Sequence, residues 1–550
     1  MAGGQIVADT SAETAPHRGD VTTGDVASGA LPRHLAATPP QRRGRRLAVL
    51  GVLAAVLLGG TLRAMWATNY LPFDYHWDEL TNVGVGDTMA DDVAIDPGFY
   101  NYPALIFLAQ SAVLIPASVF GDYDADQRSL VDMQTQASAE VQEPGLMLAL
   151  RWATGVLPGM VTIATAGAIC WVATRRAWVA TLAALIVAIS AIDLRFGIFV
   201  TPDALTGMAA SLAALGASCV TIRPSRRLYL LTGAAIGLAG AAKYNAGVIA
   251  IGLVAAHLIV HRRPWADRRL LVEAAVVAGL VFCVTNLGAV LNPGDFVHGV
   301  GSEANHYSTG HFGNQGSSPA FNAGWMWRAF GAALPLALCS LATTSDRIRR
   351  IAIVLLVQSV GYFAFISLFP VRFARNLLPI TGTVAAAAAL GVLALVQRAA
   401  LRRTSGRALL PAVVGVGMAV VLLAVPVAAS VEAMTDRSED PWSEAQAWID
   451  ENVAPGSRVI VENRAPVLDE DRYDVRHKAL LGSSPFANYV FAQIDYVVAV
   501  SETFEPFFDA PDEFPEETAS YARLLSDECV VHEFSGAGQR IVIAAPTRDC

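Results

Sequence analysis

Eleven apolar stretches dominate the chain: 47–68, 148–174, 177–193, 204–222, 228–242, 245–261, 270–291, 325–343, 351–369, 377–397 and 409–429. A helix rises 1.5 Å per residue, so about 20 apolar residues cross the hydrocarbon core of a bilayer. No water is available there to bond the backbone, so each stretch is expected to be helical. Only 16% of the 550 residues are charged and 54% are hydrophobic, whereas about a quarter are charged in a soluble chain. The fold class that follows is a polytopic α-helical membrane protein with about eleven transmembrane helices. The net charge is −9 and no basic stripe is present, which argues against a nucleic-acid partner.

Arginines orient the helices. They cluster at 42–46, at Arg175 and Arg176, and in "RPSRR" (223–227), "HRRPWADRR" (261–269), "DRIRR" (346–350) and "RAALRRTSGR" (398–407). These are every second connection, so the positive-inside rule places all of them in the cytoplasm. The N-terminus is then cytoplasmic and the C-terminus lies outside, as expected for a multi-pass protein of the plasma membrane. Residues 1–46 lack apolar periodicity and read as a disordered cytoplasmic tail. "RRGRR" before the first apolar run imitates a signal peptide. That run is long, lacks a small-x-small cleavage site and opens a series, which favours a retained anchor.

One apolar run, "YPALIFLAQSAVLIPASVF" (102–120), breaks the pattern. If it spanned, the acidic segment 121–145 would be cytoplasmic and every later connection would carry the wrong sign. A helix at the outer interface preserves the pattern, so 69–147 becomes one large external loop. The transmembrane domain is 47–432. The remainder, 433–550, alternates helix and strand patterns ("PWSEAQAWIDENVAPGSRVIVEN", "IDYVVAVSE", "QRIVIAAP") and reads as a small extracytoplasmic α/β domain. Cys529 and Cys550 fall in it, where a disulfide can persist, and a bridge or two free thiols both fit.

Ionisable residues at the membrane boundary are costly and therefore candidates for function. The predicted topology collects them on the outer side. They are Asp74, His76, Asp78 and Glu79 in "FDYHWDEL"; Asp193, Arg195 and Asp203 around "IDLRFGIFVTPDAL"; Lys243 and Tyr244 in "GAAKYNAG"; and Arg372 and Arg375 in "PVRFARNLLP". Carboxylates there suit a general base or hard-oxygen ligands for a divalent cation such as Mg²⁺ or Mn²⁺. Asp203 also suits a helix N-terminal dipole role, and Lys243 could snorkel to the interface. The arginines suit either an ion pair or a phosphate clamp. His298, His306 and His311 lie in a Gly/Ser/Asn-rich segment that reads as a mobile substrate cover; their spacing is loose for a metal site.

"YHWDEL" resembles the acidic motif after the first helix of GT-C membrane glycosyltransferases. The group it is most similar to is glycosyltransferase family 39, the protein O-mannosyltransferases and lipid A aminoarabinose transferases. "FYNYPALIFLAQSAVLIPASVFG", with Tyr102, resembles the family's juxtamembrane helix, and "LMLALRWATGVLPG" its second span with a recurring arginine at Arg151. "VTPDAL", "GAAKYNAG" and "VRFARNLLPI" follow in the family's order. Two departures are His76-Trp77 before Asp-Glu, and Asn101-Tyr102 before the loop proline. The resemblance covers roughly 47–400. It implies an inverting transferase that moves a hexosyl or pentosyl group from a polyprenyl-phosphate donor. The acceptor would be a hydroxyl of a glycan, lipid or protein at the outer membrane face. Asp78 would then be the base, with Glu79 its partner in acceptor or metal binding and Asp203 and Asp193 supporting. Arg372, Arg375 and Lys243 would hold the donor phosphate. A possible cation would sit on Asp78, Glu79 and Asp203. The rival readings are a lipid or sugar transporter, which should show inverted repeats and midplane charges, and a non-catalytic assembly subunit.

Overall fold

A computed structural model describes the chain except residues 1–38, 122, 124–128, 136, 262, 264, 266, 311–315, 402–409, 437–439, 537–538 and 548–550. The expected N-terminal tail therefore falls mostly outside the described residues. The first helix, α1 (Pro39–Ala67), starts ahead of the expected Leu47. Three short strands and two helices follow: β1 (Phe73–Asp74), α2 (Trp77–Asp91), α3 (Leu105–Phe120), β2 (Val131–Thr135) and β3 (Ser138–Val141). The segment expected to be one external loop is thus a folded unit. Its sheet is antiparallel, in the order β1-β3-β2, with Asp74 opposite Ala139 and Met133 opposite Ala139.

Next come α4 (Pro144–Arg151) and α5 (Leu157–Thr174), joined without interruption through a five-residue π segment. Then follow α6 (Ala177–Ala188), α7 (Ala191–Phe196), α8 (Asp203–Ile222), α9 (Arg226–Ala242) and α10 (Ile251–Val260). The Ser225 hydroxyl caps α9 by accepting from the Leu228 N–H. The chain continues with α11 (Arg269–Thr285), α12 (Gly288–Leu291), α13 (Pro293–Thr309), α14 (Ser318–Phe330), α15 (Ala333–Cys339), α16 (Asp346–Ile366), α17 (Leu378–Leu401) and α18 (Leu410–Asp436). The histidine-bearing segment, expected to be a mobile cover, is largely the helix α13, with Pro293 at its start.

Among the described residues six helices are long and apolar enough to cross a membrane, or seven if the pair α14 and α15, bent by 90°, is one span, against the eleven expected. The chain is a multi-pass membrane protein. The helix α17 packs against α5, α6, α8, α15, α16 and α18 and is buried from Leu378 to Ala394. Small residues allow that density, since they let backbones approach closely. A Cβ on Gly391 would lie 1.7 Å from the Leu336 carbonyl oxygen of α15, so only glycine fits. Leu50, Leu57, Val276, Leu280, Val416 and Val420 stand exposed on α1, α11 and α18, an apolar outer surface suited to lipid.

The C-terminal segment holds α19 (Pro441–Asn452), β4 (Arg458–Glu462), β5 (Asp474–Lys478), α20 (Phe486–Phe491), β6 (Tyr496–Val500), α21 (Ser501–Asp509), α22 (Pro515–Leu524), β7 (Val530–Gly536) and β8 (Gln539–Ala544). Its sheet order is β5-β4-β6-β8-β7, with β4 parallel to both neighbours and β8 antiparallel to both of its own. The α/β pattern of the sequence is present, with β5, α20 and α21 in addition. Cys529 is disulfide-bonded; Cys550, its expected partner, lies outside the described residues.

Glu462 ends β4 fully buried. Its carboxyl accepts from the Val500 N–H at 2.6 Å, the Leu481 N–H at 3.3 Å and the Tyr521 hydroxyl at 2.9 Å. Burial outweighs these bonds and pushes its pKa up to about 8. A raised carboxyl pKa favours the protonated folded state, so stability falls as pH rises from the ordinary glutamate range towards 8. Glu462→Gln is expected to flatten that slope in melting curves of the C-terminal domain between pH 5 and 9 (roughly the window these values set). An unchanged slope would show that Glu462 stays ionised.

Candidate active site

The acidic motif sits where β1 runs into α2, and its consecutive side chains point to different bodies. The Asp74 carboxylate accepts from the His76 N–H at 2.8 Å. His76 caps α2, its Nδ1 accepting from the Glu79 N–H at 3.3 Å, and its ring stacks on Phe199 at 4.3 Å. Burial lowers the His76 pKa, which keeps the ring neutral and able to accept.

Glu79 turns inward. Its two oxygens receive Nε and Nη2 of Arg151, each at 2.8 Å, and one also accepts from the Val200 N–H at 2.8 Å. Arg151 bonds the Ala67 and Asn69 carbonyls as well. Both side chains are fully buried, and Asp74 lies 3.8 Å from the same guanidinium. Burial raises the Asp74 carboxyl well above its ordinary range, and the Glu79 charge adds to this. Burial also opposes ionisation of Glu79, but Arg151 more than offsets it and holds Glu79 below its ordinary value. The Glu79–Arg151 pair locks α4 to α2, and Arg151 ties both to the end of α1. The structure places Glu79 in this lock, away from Asp78.

Asp78 projects to the other side. It pairs with the Arg375 guanidinium, and Arg375 Nε also lies 3.7 Å from Asp203 at the start of α8. Asp203 receives Lys243 Nζ at 2.7 Å, and Lys243 donates to Asn376 Oδ1 at 2.7 Å. Tyr307 of α13 donates to the same Asn376 oxygen at 3.2 Å. The Arg375 guanidinium also covers the Phe373 ring at 4.3 Å. Two carboxylates and two cations alternate here, and Asp78 and Arg375 each keep about a sixth of their side chain exposed. The Tyr102 phenol faces this group; burial and then the Asp78 charge raise its pKa well above the ordinary value.

Asp78, Asp203, Lys243, Arg375 and Tyr102, scattered over some 300 positions, are therefore brought together. The other candidates are not. Asp193 lies 3.8 Å from Arg63 and accepts from the Thr381 hydroxyl. Arg63 is fully buried in α1 and also ties to the Val187 and Ala188 carbonyls. Arg195 sits on α7 within electrostatic reach of Tyr70, and Arg372 stacks on Phe321 of α14 at 5.6 Å. Tyr244 donates to the Tyr100 carbonyl. Among the described residues no group of three or more His, Cys, Asp or Glu side chains converges as a metal site. Since Glu79 faces Arg151 and the other two acids are each engaged by a cation, the set Asp78, Glu79 and Asp203 does not fit a divalent ion. His306 lies 3.8 Å from Glu303, and His311 is outside the described residues. Asn376 and Tyr307 were missed from the sequence; the only signal was that Asn376 follows Arg375.

The profile of the dolichyl-phosphate-mannose-protein mannosyltransferase family matches residues 148–288, which carry Arg151, Asp203 and Lys243. Among solved structures, ArnT from Cupriavidus metallidurans bound to undecaprenyl phosphate superposes with a TM-score of 0.51. It is 13% identical, and the match covers 91% of this chain and 98% of that one. The fold is that of a GT-C membrane glycosyltransferase. The archaeal oligosaccharyltransferase AglB from Archaeoglobus fulgidus also matches, at 11% identity and TM-score 0.49, over 91% of this chain and 74% of that one. No curated protein sequence matches. The early acidic motif meets Asp203 of the matched segment through Arg375, which lies outside that segment.

Proposed function

We propose that the protein is an inverting glycosyltransferase that moves a sugar from a polyprenyl-phosphate donor to an acceptor hydroxyl at the outer membrane face. The observation that carries this reading is Asp78 set against Arg375, with Asp203 and Lys243 behind, at the N-terminal ends of α8 and α17. A hydroxyl is a poor nucleophile unless a base takes its proton during attack. Asp78 takes that proton as the oxygen bonds to the anomeric carbon. The bond from that carbon to the phosphate oxygen breaks, and its electrons leave on the lipid phosphate. Arg375 exchanges Asp78 for the phosphate as donor binds, and Lys243 adds positive charge from behind Asp203. One displacement inverts the anomeric carbon and needs no second carboxylate nucleophile, which agrees with Glu79 being committed to Arg151. A transporter would carry its charges near the bilayer midplane, whereas these gather at helix ends.

The fit of the fold to ArnT, a structure that holds undecaprenyl phosphate, supports the donor class. Incubating the purified protein with a panel of polyprenyl-phosphate hexoses and pentoses should release free polyprenyl phosphate. No release from any of them, with acceptor extracts present, would remove the reading.

The same reading places the site outside, with eleven spans, the N-terminus in the cytoplasm and the C-terminal domain external. Ser129 is exposed beside β2. A single cysteine there, in a background without native cysteines, should react with an impermeant thiol reagent in intact cells. Labelling only after lysis would invert the topology.

A further inference from the structure

The C-terminal domain touches the acidic motif directly. Tyr75, between Asp74 and the α2 cap, stacks on Trp442 of α19, with ring centroids 5.1 Å apart and planes 17° from parallel. Tyr70 meets both rings edge-on, at 5.9 Å and 5.3 Å. Tyr75 is 3% exposed and Trp442 2%. The tryptophan is itself fixed: its indole N–H donates to the Arg464 carbonyl at 2.6 Å, and Asp440 caps its helix. Away from the stack, Gln134 of β2 exchanges two hydrogen bonds with Leu468, and Ser138 donates to Ala465.

Asp78 lies three residues beyond Tyr75. The turn that aims it has three anchors: Glu79 on Arg151, His76 on Phe199, and Tyr75 on Trp442. The first two belong to the membrane helices and their loops; the third belongs to the C-terminal domain. We propose that Trp442 is a positioning residue for Asp78, so that the C-terminal domain sets the geometry of the base through the Tyr75 stack. This rests on Asp78 being the base. A displacement of about 1 Å at a reacting group can cost on the order of a hundredfold in rate, so a removable ring three residues away is enough to matter.

The test uses the full chain in detergent. Trp442→Ala is expected to lower kcat about a hundredfold with donor affinity unchanged, because Arg375 and Lys243 are untouched. Trp442→Phe, which keeps an aromatic stack, should recover most of that loss. Gln134→Ala, which loosens the same interface away from the stack, should stay near wild type. Should Trp442→Ala fold poorly, Tyr75→Leu against Tyr75→Phe tests the stack from its other side. Near-wild-type kcat in folded Trp442→Ala, a parallel fall in donor affinity, or equal loss from Gln134→Ala would overturn the proposal. Hydrogen exchange separates this from failure of the transferase reading. Trp442→Ala should speed exchange at the α2 amides 79–82 even if no donor is turned over, and unchanged exchange there would overturn the coupling.

Discussion

Asp78→Asn is expected to lower the transfer rate by about two to four powers of ten, the range for loss of a general base, while donor binding survives. The asparagine keeps the size of the side chain and one acceptor oxygen, but it cannot take the acceptor proton. Arg375→Gln should behave in the opposite sense. It keeps the Asp78 carboxylate but removes its ion-pair partner and a charge-assisted contact to phosphate, so donor affinity should weaken by about 1.5–3 kcal/mol. Transfer rates and donor affinity for both variants in matched detergent decide the matter. Normal turnover in Asp78→Asn would remove the catalytic assignment and restore the transporter and assembly-subunit readings. Rescue of that variant by added Mg²⁺ or Mn²⁺ would return a metal role that the arrangement of the acids does not support.

Arg151→Met is expected to destabilise the protein by about 3–5 kcal/mol, the usual result of removing one partner of a buried ion pair. Glu79 would remain buried beside the Asp74 carboxyl without its cation, keeping the Val200 N–H, and the carbonyls of Ala67 and Asn69 would lose their donor. Arg151→Lys should recover only part of the loss, because an ammonium cannot make the two parallel bonds of the guanidinium. The double variant Arg151→Met with Glu79→Gln should lie above Arg151→Met alone, since no uncompensated charge stays buried. Thermal denaturation in detergent reads all three. A melting temperature unaffected by Arg151→Met would show that the lock between α1, α2 and α4 contributes little. The same variant separates the two neighbouring acids: its damage should appear first in stability, whereas that of Asp78→Asn should appear in rate.

Much of the architecture was legible without coordinates because the bilayer imposes it. Each of the eleven apolar stretches contains helix in the structure, and six or seven of the described helices are long and apolar enough to cross a membrane, where a backbone has no other way to satisfy its polar groups. The C-terminal sheet was readable from short β-branched runs such as "YVVAV" and "RIVIA". The residues of the site were readable as costly charges beside apolar runs. Their division of labour was not. Asp78 and Glu79 are adjacent and chemically alike, and in a helix adjacent side chains point about 100° apart. Which of them meets Arg375 and which meets Arg151 depends on where α4, α8 and α17 pass, and that is set by packing some 70 to 300 positions away along the chain. The two-residue strand β1 and α13, with its three glycines, were hidden for a related reason. Their own sequences barely favour the structure they adopt, and contacts such as Tyr307 on Asn376 hold them in place. Composition and spacing determined a helical membrane protein with charges at one set of helix ends. Only the tertiary structure decided that one acid faces a largely buried ionic cluster, that its neighbour is sealed in a lock, and that a tryptophan from the C-terminal domain stacks beside both.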